Sequence, residues 1–134
     1  MLVIRNVDPS DAVDLFGESP PLLGMTPIQS AALCRQRGLV AFAVEENCML
    51  AGFTIAQSRP RGVHIIGLEG RTDACRFLLK RLVRLAGERD LSAWCPAARE
   101  DVQGVLDRQG FVRECGGDFQ GRASFLYRLR RNEV

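Results

Sequence analysis

The chain is predicted to fold as a mixed α/β domain, a sheet with helices packed on its faces. Three observations predict it. Apolar runs of strand length, separated by turn signals, fill residues 39–68. One long segment with helical periodicity, about 72–88, is followed at once by the short apolar run 91–95, the pattern of a β-α-β crossover. The chain is 134 residues long, 46% hydrophobic and 25% charged, so it has room for one core and an ordinary globular surface. One domain over residues 1–134 is expected.

Residues 2–6 read as a short first strand. Asp8-Pro-Ser-Asp11 then starts a helix, with a capping acid and Pro at the first helical position. Val13 and Phe16 give it a buried edge. Residues 17–24, with Ser19-Pro20-Pro21, end it. Thr26-Pro27-Ile28-Gln29 starts a second helix with a capping box, and Gly38 closes it after Arg35 and Arg37. Residues 39–44 form a strand, 45–47 a turn, and 49–56 the returning strand. Residues 59–62 turn again into a strand over 63–68. Thr72 or Asp73 caps the long helix, whose stripe is Ala74, Leu78, Leu82 and Leu85, widened by Phe77 and Ala86. The run 91–95 is a buried strand stopped by Pro96. Residues 99–109 form a helix with Val102, Val105 and Leu106 inward, closed by Gly110. Residues 111–113 open another strand, 116–121 form a loop, and 124–129 close the fold.

The formal net charge of +2, with both signs interspersed, predicts no nucleic-acid or membrane surface. No stretch approaches the ~18 apolar residues of a membrane span. No secretory signal pattern is visible at the N-terminus, and a cytoplasmic location is expected. The five cysteines contain no C-x-x-C pair and His64 is the only histidine, so no metal site is expected. The cysteines read as small buried hydrophobes.

Two stretches carry a family resemblance. The run 40–55, an apolar strand, a polar turn, then Leu50-Ala51-Gly52-Phe53, looks like the second and third strands of the GNAT (GCN5-related N-acetyltransferase) fold. The run 101–111, a helix ending in Gly110-Phe111, looks like that family's late helix and the lead into its sixth strand. The element order is similar to the family's over the whole chain. The resemblance implies a mostly antiparallel sheet with a crossover that binds acetyl-CoA as cosubstrate, and direct acetyl transfer to an amine of a small molecule or protein. It also implies an acceptor wall near residues 20–24, a loop that reads equally as a partner contact, and leaves open a homodimer through the apolar run 125–127 of the terminal strands.

Site residues follow from the same resemblance. The family's glycine-rich loop presents backbone N–H groups and a helix N-terminus to pyrophosphate. Its place is taken here by Leu68, Gly70, Arg71, Thr72, Asp73, Ala74, Cys75 and Arg76. Neither register of the family pattern restores its glycines, and Arg71 and Arg76 are expected to compensate by gripping phosphate. Glu69 is the candidate base, with His64 as the substitute. Leu106 stands where many members carry an acidic Tyr, and Arg99 where an Asn often opens the helix. Tyr127, the one tyrosine, is expected in the core. Trp94 and Cys95 fall at the end of the fifth strand, where the pantetheine arm lies in the family. The rival to an active enzyme is a catalytically silent GNAT-like module that binds a partner. A different acyl donor is a third reading.

Overall fold

A computed structural model describes residues 1–8, 11, 32, 35–119 and 121–131. The helices expected after Asp8 and Thr26, and the apolar loop 20–24, fall outside the described residues. Seven strands make one sheet: β1 (Val3–Val7), β2 (Leu39–Glu46), β3 (Met49–Arg59), β4 (Gly62–Gly70), β5 (Asp90–Pro96), β6 (Val112–Phe119) and β7 (Arg122–Leu129). Their spatial order is β1-β2-β3-β4-β5-β7-β6. Every neighbouring pair is antiparallel except β4 and β5. The connection between those two is the crossover helix α1 (Thr72–Ala86); α2 (Glu100–Arg108) follows β5.

The strands outrun their apolar runs, because ladder pairing carries polar residues along with them. β4 takes in Glu69 and Gly70, so Arg71 alone separates it from α1. The β2–β3 turn is Asn47-Cys48, both at positive φ (53° and 64°) as a two-residue hairpin of right-handed twist requires, and not 45–47. Gly116, Gly117 and Asp118, expected in a loop, are paired with Phe125, Ser124 and Ala123 inside the β6–β7 ladder. Glycine at 117 leaves the space that the Trp94 ring fills, 3.4 Å from where a Cβ would stand. β7 lies between β5 and β6 with both edges paired, so the run 125–127 is not a free edge; the edge strand at this side is β6.

The main core lies between α1, α2 and one face of the sheet. Leu78, Leu79, Leu82, Leu91 and Tyr127 are fully buried there. The α1 stripe is Ala74, Cys75, Leu78, Leu79, Leu82 and Ala86. Phe77 (40% accessible) and Leu85 (37%) were expected inward and stand on its outer flank. The reason is close packing: the helix start sits so near β3 that a Cβ on Gly52 would lie 2.9 Å from the Ala74 Cβ. That fixes the helix's rotation on small residues. A second cluster, including Ala41, Ala43, Phe53, Ile55 and Ile66, occupies the opposite face. Cys75 and Cys95 are buried as expected, but Cys48 and Cys115 are exposed.

Candidate active site

The site is a break in the sheet. β4 and β5 pair from Gly62↔Asp90 to Ile65↔Ala93 and no further. On its other edge, β4 pairs Gly67 with Ile55 and Ile65 with Ala56, so Ile66 is an extra, bulged residue. The bulge bends β4 at the point where it leaves β5. The buried Thr54 hydroxyl donates to the Gly67 carbonyl at 2.7 Å and holds the bent segment against β3. Beyond the bulge, residues 66–70 of β4 and 94–96 of β5 no longer pair with each other, while β5 stays zipped to β7. The result is a cleft at the carboxyl ends of the parallel pair β4–β5. Helices α1 and α2 both begin there, the position where open α/β sheets place ligands.

Glu69 projects into this region from β4. It is paired with Phe53, hence on the face opposite α1, and its side chain is nearly buried. The guanidinium of Arg99, the residue that opens α2, donates through Nη1 to Glu69 Oε2. Its other nitrogens donate to the two Asp101 oxygens at 3.1 and 3.2 Å. Arg99 thus ties the bent end of β4 to the start of α2 across the cleft. Burial pushes the Glu69 carboxyl above its ordinary value of 4.5, with Arg99 pulling the other way. The Arg99 bonds hold Asp101 low.

The start of α2 is anchored from behind. Gln103, buried, donates to the Pro96 and Ala97 carbonyls at 3.1 and 3.0 Å. Arg113 donates to Gln103 Oε1 at 2.9 Å and to the Tyr127 hydroxyl at 2.9 Å. Tyr127 is therefore a core acceptor, as expected. Leu106 is core as well, so no hydroxyl acid projects from α2 toward the cleft.

The segment 68–76 does reach the cleft, in unequal parts. The Leu68 side chain is buried in the main core. Gly70 adopts φ +124°, and a Cβ there would stand 2.4 Å from the Ala51 carbonyl oxygen and the Gly52 Cα; only glycine fits. The α1 cap is Arg71, not Thr72 or Asp73, and makes no side-chain cap bond. The N–H groups of Thr72, Asp73 and Ala74 precede the first intrahelical bond, Cys75 N–H to the Arg71 carbonyl at 2.9 Å. The Asp73 carboxylate accepts from the Ala74 N–H at 2.9 Å, so an acid already sits at the helix start. The Arg71 guanidinium is committed to Asp73 (2.7 Å) and Glu46 (3.0 Å), and its bonds hold the Asp73 carboxyl low. Arg76 is exposed on α1.

Two thiols flank the cleft. Cys75 Sγ lies 3.7 Å from the Gly70 carbonyl, and Cys95 Sγ 3.8 Å from the Arg99 carbonyl. Burial pushes both up to about 12, so neither offers a thiolate at neutral pH. His64 is elsewhere. It precedes Glu69 by five residues on β4, roughly 16 Å at ~3.3 Å per residue, on the paired side of the bulge. Its Nδ1 lies 2.8 Å from Ser92 Oγ. The structure does not bring His64 and Glu69 together. Sequence reasoning missed the Arg99–Glu69 pair. The Arg-x-Asp at the helix start was visible, but nothing in it pointed across the sheet to residue 69.

Solved structures share this architecture. Arabidopsis thaliana NAA60 in complex with acetyl-CoA superposes with a TM-score of 0.74 at 15% identity, covering 99% of this chain and 100% of that one. The ribosomal-protein-S18-alanine N-acetyltransferase from Escherichia coli gives 0.73 at 16% identity, covering 100% and 96%. A GNAT-family acetyltransferase from Bacillus cereus gives 0.67 at 14%, covering 99% of each chain. The fold is that of the GNAT acetyltransferases. No protein-family model matches the sequence, and no curated protein matches it either.

Proposed function

We propose that the chain is an acetyl-CoA-dependent N-acetyltransferase that moves an acetyl group directly to an amine. One observation carries the reading. The parallel pair β4–β5, the only one among the described residues, opens beside a bulge into a cleft whose walls present unpaired strand backbone, with the N-terminus of α1 at its mouth. Such a cleft can hold an extended amide-bearing arm by backbone pairing and a phosphate group by helix N–H donors. In the reaction the amine nitrogen would bond to the thioester carbonyl carbon, the C–S bond would break, and the thiolate would leave with a proton. Backbone N–H groups of residues 66–70 would polarise the carbonyl. Glu69, its affinity for a proton raised by burial, would take the proton the ammonium must lose. Arg99 would position Glu69 and lend positive charge to the departing thiolate.

The second reading is a GNAT-like module that binds without transferring. Asp73 favours it, because a carboxylate on the helix N–H groups opposes a phosphate there.

Isothermal titration with acetyl-CoA separates the two. The transferase reading expects micromolar binding that weakens for the dephospho analogue. It further expects Asp73→Asn to tighten binding a few-fold, the ~0.5–1 kcal/mol of a helix-terminus charge. Absence of binding at near-millimolar ligand, in both the parent and Asp73→Asn, would overturn it.

A further inference from the structure

The other end of β4 carries a second concave surface that the transferase reading does not use. Strand register builds it. Gln57 pairs with His64, His64 with Ser92, and Ser92 with Arg128, so four polar side chains form one row across four strands on the same face. One step nearer the β3–β4 turn, Arg59 pairs with Gly62 and Gly62 with Asp90. The glycine leaves a hollow in the middle of that row. A Cβ there would lie 3.0 Å from the Asp90 carbonyl oxygen. Arg61, at the tip of the turn, forms the rim. The groove, open to solvent, has a volume of about 390 Å³.

Its charge is unbalanced. Glu114 is shared between Arg128 (3.1 Å) and Arg130 (2.6 Å). The Asp90 carboxylate accepts from the Arg131 N–H at 2.9 Å. Among the described residues no carboxylate lies in ion-pair range of Arg59 or Arg61. Three guanidiniums (Arg59, Arg61, Arg128) thus line the groove with one acid, Asp90. Half-buried beneath them, His64 is held below its usual value of 6.5, first by burial and then by Arg59 and Arg128, which favours the neutral imidazole at pH 7. The turn is also pinned: Arg89 donates to the Arg59 carbonyl at 2.7 Å and the Ser58 hydroxyl at 2.8 Å, with further bonds to the end of α1. Guanidinium groups gathered on a rigid turn without matching acids repel one another, and an anion relieves that repulsion. Forked N–H donors suit phosphate oxygens.

We propose that this groove binds a phosphate group, free or carried by a small phosphate ester, through Arg59, Arg61 and Arg128 over the His64–Ser92 floor. The site lies at the opposite end of β4 from the cleft, and it stands whether or not the chain transfers acetyl groups.

His64 is the only histidine, so its ring C–H resonance in proton NMR needs no assignment. The full chain is titrated with inorganic phosphate, then phenyl phosphate, at ionic strength held constant with sodium chloride. The proposal expects a saturable shift and a higher His64 titration midpoint in bound protein, because an anion offsets the guanidinium charge. Arg61→Gln, on an exposed turn, should weaken binding about ten-fold, and Arg84→Gln, on the outer side of α1, should leave it unchanged. Tighter binding of phenyl phosphate identifies an ester as the natural source; tighter inorganic phosphate identifies the free ion. A non-saturating drift that chloride reproduces, or unchanged affinity in both Arg59→Gln and Arg61→Gln, would overturn the site.

Discussion

Replacing Arg99 with Met keeps an unbranched apolar stem and removes the guanidinium and its charge. The lost bonds to Asp101 are exposed and matter little. The loss that counts is at Glu69, left nearly buried without its cation. Breaking a buried pair from one side costs about 3–5 kcal/mol. Glu69 has an escape, however, which is to take up a proton. Its ordinary value of 4.5 lies about 2.5 pH units below neutrality, so at ~1.36 kcal/mol per unit the penalty at pH 7 cannot exceed ~3.4 kcal/mol. At pH 5 the same ceiling falls to ~0.7 kcal/mol. The sign agrees with linkage. A carboxyl whose folded value is raised binds more protons folded than unfolded, so stability falls as pH rises from 4.5 toward the folded value. Removing Arg99 takes away a lowering influence and extends that window upward. Urea unfolding followed by the fluorescence of Trp94, the single tryptophan, should therefore show Arg99→Met losing about 2–3 kcal/mol at pH 7 and under about 1 kcal/mol at pH 5. Glu69→Gln added to Arg99→Met should restore most of the loss at pH 7. A penalty equal at both pH values, or a double variant no better than the single one, would refute the pair as the charge bridge across the cleft.

Two further outcomes follow from packing and burial. Gly70→Ala should lower stability by more than about 3 kcal/mol in the same assay, because its Cβ collides with β3 backbone, whereas Gly121→Ala, at φ +76° with nothing within 4 Å, should lose only about 1–2 kcal/mol. In folded protein, maleimide followed by peptide mapping should label Cys48 and Cys115 and spare Cys75 and Cys95. A thiol pushed up to about 12 is thiolate in only about one molecule in 10⁴–10⁵ at pH 7.5, and rapid labelling of either buried cysteine would contradict the packing around the cleft.

Much of the fold was legible because periodicity records burial. The stripe Ala74, Leu78, Leu82 identified the crossover helix, and the run 91–95 directly after it identified the parallel strand. Phe77 and Leu85 misled for a physical reason: both fit a widened apolar stripe, and only the contact of Ala74 with Gly52 fixes which flank turns outward. The glycines at 116 and 117 read as loop residues, yet in a ladder a missing side chain is room for a neighbour's ring.

What the sequence by itself determined is the order of elements from residue 39 onward, the apolar spine of α1 and the inward face of α2, and the segment that ends β4 and opens α1. These depend on local period and on where glycine and proline interrupt it. What only the tertiary structure decided is the chemistry of that segment. The partner of Glu69 is thirty residues away in sequence. The acid on the α1 N-terminus and the commitment of Arg71 to Glu46 depend on how strand ends meet in space. The row from Gln57 to Arg128 likewise gathers four strands into one surface. Charges act through distance, and a linear chain does not carry the distances between residues that folding brings together.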